Sequence, residues 1–526
     1  MSLPAGIEPL PISKWTNGHE NFTVHLNPQA CFALKIPEGV SDEQGYHATT
    51  ANFQWLINNA IQHDLHLRAL GNGWSFSTVA VCQDGLIDTK SLRLAFWMHD
   101  SFVAPEYRQQ GGKSEDLFFV QCGVSIFELH RTLREKGRSM KTCGGSNGQS
   151  IVGGFSTGTH GAAFKVGAIH DGIVGLHIIT GPDRHVWIER ASAPVASPDF
   201  ISWLGAELIR DDAMFYAALI NFGSFGFING VMMETDPVFL LEEYRLDKLP
   251  YNDALIKVVS ALDFSALAPV MPIPIDDPVK KLYHLEMIVN PHDFKRDSAE
   301  KGVYVRLLYK TPYRDDYPRT PRDDSGFMYG DDTLGVIETI LDKLGAITPL
   351  LVPPLVNKLF PLAFKANGPA LGTLGEIFIN TRFRGKAASA ATAIAMEDID
   401  KVLDIILEAN KKTPFPGALA CRFVKGTKAT LGFTKFEHTC VLEMDGVDAE
   451  VSRSFFQKVW SGLEAADIPF KLHWGKLNFV LNAALLRKMY GDENVDSWIS
   501  CRHALLDEPT RRVFTNDFMR QCGLDG

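Results

Sequence analysis

The residues best suited to chemistry in this chain lie in glycine-rich loops. "GNGWS" (71–75), "GGFSTGTHG" (153–161) and "GSFGFING" (223–230) are each flanked by apolar runs and carry serine, threonine or asparagine among the glycines. Glycine permits positive φ and close backbone approach, so successive N–H groups can converge on an anion. One such turn carries little weight, because most Gly-x-Gly turns are only turns. Three together suggest one extended, phosphate-bearing ligand. A dinucleotide suits them better than a mononucleotide, since it must be held along its length. No G-x-G-x-x-G follows a strand, which speaks against a Rossmann nicotinamide site.

Regular elements must hold these loops in place. Residues 48–65 carry apolar positions at helical spacing, and "HLRALG" reads as a short strand feeding the first loop. "GLIDTKSL" (85–92) and "LFFVQCGVSI" (117–126) read as strands, and "FELHRTLREKG" (127–137) as a helix ending at Gly137. Strands are expected around 173–180 and 185–189, joined by "GPDR". From about residue 240 strands alternate with longer helices, "VIETILDKL" and "AMEDIDKVLDIILEANKK" among them. "GALACRFVKG" (417–426) and "EHTCVLEMD" (437–445) read as a pair of extended segments. No Ser/Gly linker separates these regions, so domains that share an interface are expected.

Bulk properties narrow the class. At 526 residues the chain is long enough for two to four domains, and 45% hydrophobic with 22% charged residues is ordinary globular composition. A formal charge of -10, with no long Lys/Arg run, argues against a nucleic-acid partner. None of the eight cysteines is spaced C-x-x-C, so they read as small buried hydrophobes of a reducing compartment. "MSLPAGIEPLPISKW" has no basic region followed by an apolar one, and a cytoplasmic protein is the expectation. The longest apolar stretch, 344–364, is broken by Pro349, Pro353, Pro354, Lys358 and Pro361, which argues against an integral membrane segment.

"ALGNGWS", "QSIVGGFSTGTHG" and "FGSFGFINGVMMET" resemble, in this order, the three FAD-contact segments of the vanillyl-alcohol-oxidase/PCMH-type flavoproteins. "KLHWGK" (471–476) resembles the late His-Trp-x-Lys motif of the aldonolactone and alditol oxidase branch, and the closing "RRVFTNDFM" also fits. The middle, with its Pro-rich apolar segment, looks most like the FAD-linked cholesterol oxidase branch. The resemblance covers 45–235 well and 415–520 moderately. It implies an α+β fold: a two-subdomain FAD-binding domain (1–240), an α/β cap domain with an antiparallel sheet over the flavin (241–480), and a C-terminal segment (481–526) returning to the FAD domain. By the same resemblance Gly71, Asn72, Gly73, Trp74 and Ser75 cradle the pyrophosphate. Gly154, Ser156, Thr157, Gly158, Thr159, His160, Gly161, Gly226 and Ile228 line the flavin.

Two positions depart from the family pattern. Many members carry a histidine at the place of Trp74 and bind flavin covalently through it. An indole forms no such link, and no histidine occurs from 67 to 84, so FAD held non-covalently is the expectation. A weak oxidant or a dehydrogenase would follow from the missing tether. Cys143 is an alternative covalent site, though it lies ten residues before Gly153. The second departure concerns the base. Alcohol oxidation needs a proton acceptor, and a cation near the flavin ring helps. The family's cap strand reads Glu-x-Arg. Here Arg422 matches, but Ala420 stands in place of the glutamate. Strand alternation puts Glu443 on one face with Thr439, Val441 and Asp445, and His438 on the other. The resemblance to alditol oxidases, which place a histidine at the strand position of Glu443, makes Glu443 the candidate base; the "HWGK" motif makes Lys476 the candidate cation, and Glu286 is a weaker carboxylate. His473 and Trp474 are read as orienting or packing residues, and His160 as anchored to backbone.

These readings favour an FAD-dependent oxidoreductase acting on the CH–OH group of a small-molecule alcohol, with O2 or another electron acceptor. A bulky, sterol-like alcohol is slightly favoured, a sugar lactone or alditol is the alternative, and a flavin-binding protein without alcohol oxidation is a third possibility.

Overall fold

A computed structural model describes residues 3–319, 333, 337, 349–364, 366–378, 383 and 385–526. Most of "VIETILDKL" and the start of the 344–364 stretch lie outside the described residues.

The N-terminal half is built on two sheets. In the first, Leu67–Leu70 and Phe32–Leu34 both run parallel to Gly85–Asp88, and Ile7–Pro9 closes the edge. The second has six strands, with Ile173–Ile179, Phe227–Glu234 and Leu117–Gln121 at its centre. The long helix Asp42–Gln62 starts six residues earlier than its apolar spacing suggests. Ser41 and Gln44 form a capping box there, which satisfies N–H groups that periodicity cannot report. Its buried face, Tyr46, Thr49, Phe53, Leu56, Ile57 and Ala60, repeats every three to four residues. The strand expected over 117–126 stops at Gln121, because Ser125 caps the next helix, Ile126–Glu135, with Glu128 as its box partner.

The second half is dominated by one eight-stranded, wholly antiparallel sheet. Its order is Asn367–Gly372, Phe239–Leu249, Val303–Pro312, Lys281–Val289, Gly417–Lys425, His438–Val447, Ala387–Ala395 and Phe470–Leu472. Helices Ile399–Lys412 and Glu450–Ala465 pack together beside it. The chain then returns to the first half. Arg502 Nε donates to the Ser224 carbonyl (3.0 Å), Asn516 Nδ2 to Val81 (2.7 Å), and Arg68 Nη1 to both Gly223 (2.6 Å) and Phe514 (3.2 Å). The third glycine-rich loop is thus clamped between the first sheet and the C-terminal segment.

All eight cysteines are free thiols, seven of them buried. Among the described residues no helix is long and apolar enough to cross a membrane; Val352–Ala363 has twelve residues and carries Pro361 inside it.

Burial leaves several histidines neutral. Desolvation pushes His19 and His160 down to about 3 and His130 and His284 down to about 4. The unfolded chain protonates these rings near 6.5, so between the two values it binds more protons than the native state. Stability is present above pH 6.5 and is lost as pH falls, by about 1.4 kcal/mol per pH unit for each ring. Thermal melts are expected to move steeply to lower temperature between pH 7 and pH 5. A flat profile over that range would contradict the burial of these rings.

Candidate active site

The three glycine-rich loops form the walls of one cleft between the N-terminal sheets and the cap sheet. Leu67–Leu70 delivers Gly71–Ser75 to it. There Asn72 Nδ2 donates to Gly148 O (2.7 Å), and the neighbouring hairpin holds the loop through Gly18 N to Gly73 O (2.9 Å) and Asn17 Nδ2 to Ser75 O (3.0 Å). Gly73 takes φ +74°, a left-handed conformation that glycine adopts without strain. Trp74 is half-buried against Phe383, with ring centroids 4.4 Å apart, and stands edge-on to His19. It also fills the space beside Gly148, where a Cβ would meet the indole at 2.2 Å. The indole is therefore part of the cleft wall.

The second wall is the short helix Ile151–Ser156 and its exit. Gly154, Ser156, Thr157, Thr159 and His160 line the cleft. Gly158 and Gly161, expected as contacts, stand behind it. Gly158 (φ +88°) turns the chain past the Phe433 ring, and Gly161 packs against Thr142 and Cys143, where a Cβ would clash at 2.5 Å. The third wall includes Phe222, Gly223, Gly226 and Ile228. Gly226 (φ +116°) lies so close to the Ile179 carbonyl that a Cβ would come within 2.3 Å of it.

The cap sheet brings Arg422 and Glu443 to the same cleft, and the late loop brings His473, Gly475 and Lys476. The cross-strand register places Glu443 directly opposite Ala420, and Arg422 opposite Glu286. Arg422 donates Nε to Glu286 Oε1 (3.0 Å) and Nη1 to Glu443 Oε1 (3.3 Å). Glu286 is fully buried on the side of Arg422 away from Glu443 and does not line the cleft. Burial alone would raise its carboxyl, but Arg422, His284 and Arg306 outweigh that and hold it well below the usual range. Lys476 Nζ donates to Ser389 Oγ (2.7 Å), lies 5.0 Å from the Phe76 ring centre, and is anchored further by Ser389 Oγ donating to Asp445 Oδ1 (2.6 Å). The late loop is clipped to the first one through Phe76 N to Gly475 O (2.8 Å) and Ser77 Oγ to Trp474 O (2.5 Å). His473 Nδ1 accepts from Gly475 N (2.9 Å), and Trp474 is fully buried with Nε1 on Leu431 O (2.8 Å). His438 is exposed.

Cys143 does not line the cleft, and burial drives its thiol far above the ordinary value. Cys122 does line it, but burial raises that thiol to about 12, so it holds its proton at neutral pH. Sequence reading missed part of the wall: Gly144–Ser146, ahead of the second loop, and Arg68 from the strand before the first; Gln149 and Ser150 lie within the quoted "QSIVGGFSTGTHG" segment. The glycine density of 143–150 was the available signal. It also missed the row of charges behind Arg422. There Arg306 binds Glu286 (3.4 Å) and Glu243 (2.9 Å), and Arg245 binds Glu243 (2.8 Å), all buried.

The cleft suits FAD. Backbone at the glycines approaches without side chains. Ser156 Oγ and Gln149 Oε1 are buried at the wall with no hydrogen-bond partner among the described residues. Arg422 and Lys476 supply positive charge at the cap end.

Comparison with known proteins agrees. A family model described as an FAD binding domain matches residues 46–188. The chain is 23% identical over 470 residues to L-gulono-1,4-lactone dehydrogenase of Mycobacterium tuberculosis, covering 89% of this chain and 92% of that one. It is 30% identical over 120 residues to D-arabinono-1,4-lactone oxidase of Candida glabrata, covering 23% of this chain and 19% of that one. In fold it is similar to cholesterol oxidase from B. sterolicum, with TM-score 0.69, 15% identity, and coverage of 97% of this chain and 96% of that chain. A solvent-stable cholesterol oxidase gives TM-score 0.67 at 12% identity, covering 97% of each chain. The loops, the cap sheet over them and these likenesses converge on an FAD-dependent oxidoreductase: residues 46–188 match an FAD binding domain, the chain is similar in sequence to aldonolactone dehydrogenases and oxidases, and its fold is similar to that of cholesterol oxidase.

Proposed function

We propose that the protein oxidises an alcohol at its CH–OH carbon, with Arg422, Glu443 and Lys476 as its substrate-side machinery. The observation that carries this is the meeting of a buried carboxylate, a guanidinium and an ammonium on one cleft walled by the three loops. Bound FAD supplies the two-electron acceptor. Gly71–Ser75 hold its pyrophosphate, and Gly154, Ser156, Thr157, Thr159, His160, Gly226 and Ile228 hold the ring. Glu443 takes the hydroxyl proton, a role that fits its register opposite Ala420, where the family carries its glutamate. Arg422 orients Glu443 through its hydrogen bond to Oε1, and Lys476 balances negative charge at the flavin. On this reading residues 1–240 bind FAD, 241–480 cap it and 481–526 return to the FAD side.

Two observations bear on the alcohol. The charged cap end of the cleft and the long match to a lactone dehydrogenase favour a sugar lactone or alditol. The apolar helix Val352–Ala363, with Leu350, Leu351 and Leu362 exposed at its ends, favours a bulky, sterol-like alcohol. An anaerobic panel of both classes decides between them by which one bleaches the flavin.

Trp74 and the two buried thiols also predict that FAD is bound without a covalent link. Acid precipitation is expected to leave the yellow flavin in the supernatant; flavin retained in the pellet would overturn that part of the reading.

A further inference from the structure

The function above leaves His160 as a wall residue, but its geometry gives it more to do. His160 Nδ1 lies 2.9 Å from the Gly161 carbonyl. A carbonyl only accepts, so Nδ1 carries the hydrogen and Nε2 of the neutral ring bears a lone pair. That Nε2 faces Glu443 Oε1 at 3.7 Å, and both side chains are 3–4% exposed. An ionised carboxylate and an imidazole lone pair are two acceptors, and 3.7 Å is beyond hydrogen-bond reach. A single proton placed between them turns the contact into a bond. Burial first, then Arg422, holds the ring neutral, so it stays an acceptor across the physiological range.

We propose that His160 and Glu443 form a two-residue proton acceptor spanning the cap and the FAD side, with His160 the positioning residue that acts through Glu443. This rests on the alcohol-oxidation reading. In the step, the substrate O–H bond breaks and its proton goes to Glu443 Oε1. The C–H hydrogen would leave with its electron pair to the two-electron acceptor that bound FAD would supply, forming the carbonyl, and the new Oε1–H donates to His160 Nε2. Among the described residues the titratable groups facing the pair are Arg422 from the neighbouring strand, His473 and Lys476 from the late loop, and His170 from the short turn after the second loop. Ala391, on the other neighbouring strand, adds no charge, and Glu286 acts only through Arg422.

The test is the pH dependence of the visible flavin spectrum in the resting FAD-loaded protein, paired with anaerobic flavin reduction by an alcohol that bleaches the wild type. A hydrogen bond to the protonated form raises a carboxyl pKa, whereas a glutamine amide in place of the ring would stabilise the ionised form. In His160→Gln, with FAD content unchanged, the spectral midpoint is expected to fall by about one pH unit and the reduction rate by about tenfold or more. In Glu443→Gln the titration is expected to vanish. His160→Asn replaces His160→Gln if the latter fails to take up FAD. Equal midpoints in wild type and the His160 variant overturn the proposal. So does a titration that persists in Glu443→Gln, or a wild type with no titration between about pH 4 and 10. If no alcohol bleaches the flavin, the alcohol-oxidation reading fails, while the spectral titration still decides whether the pair exists.

Discussion

Replacing Glu443 by Gln is expected to slow flavin reduction by substrate about a hundred- to ten-thousand-fold while leaving FAD bound. The amide keeps the shape of the side chain and its contact with Arg422, so the fold is retained. Among the described residues it removes the one group at the cleft wall that is both acidic and buried beside the cleft's cations. The effect should fall on the rate constant for reduction and not on FAD content, measured by anaerobic stopped-flow absorbance at saturating substrate. If Glu443→Gln reduces at the wild-type rate, Glu443 is not the base. Glu286→Gln, next along the chain of contacts through Arg422, would then be the carboxylate to examine.

Removing Arg306 is expected to have the largest effect on stability. Its guanidinium lies between Glu243 Oε2 (2.9 Å) and Glu286 Oε2 (3.4 Å), with 2% of the side chain exposed. The register makes it part of a row across the sheet, in which Arg245 faces Arg306, Arg306 faces Glu286 and Glu286 faces Arg422. Arg306→Met leaves two buried carboxylates sharing the remaining cations. Breaking a buried pair from one side costs about 3–5 kcal/mol, because each carboxylate left behind loses a buried cation and gains no water in exchange. Urea unfolding should show a correspondingly lower midpoint. Arg306→Met combined with Glu243→Gln and Glu286→Gln removes the uncompensated charges and is expected to recover much of the loss. A midpoint unchanged in the single variant would mean that the row is not electrostatically continuous.

The loops were legible in the sequence because their chemistry is local. Positive φ at Gly73 and Gly226 and the spacing of "STGTHG" and "HWGK" need no knowledge of distant residues. The alternation of "EHTCVLEMD" put Glu443 on the same face as Asp445. The structure places both beside the late loop, Glu443 at the cleft and Asp445 behind Lys476 through Ser389. What stayed hidden depends on register between strands far apart in the chain. Glu243, Glu286, Arg306 and Arg422 come from four strands, and no periodicity within any one of them reports that they meet. His160 was legible as a loop residue, but its approach to Glu443 is set by how the cap rests on the FAD side. Helix starts were missed where capping, not apolar spacing, fixes them, as at Ser41. Gly158 and Gly161 were read as contacts because glycine density does not separate backbone that touches a ligand from backbone that makes room for its neighbours.

The central claim is that this chain takes a hydride and a proton from an alcohol in the cleft where Arg422, Glu443 and Lys476 meet. The most direct measurement is the absorbance of the FAD-loaded protein on anaerobic addition of sterols, alditols and sugar lactones. Rapid loss of the flavin bands with one class, and its loss in turn in Glu443→Gln, is the predicted result. Flavin that is bound yet stays oxidised with every alcohol, while dithionite bleaches it normally, would contradict the account.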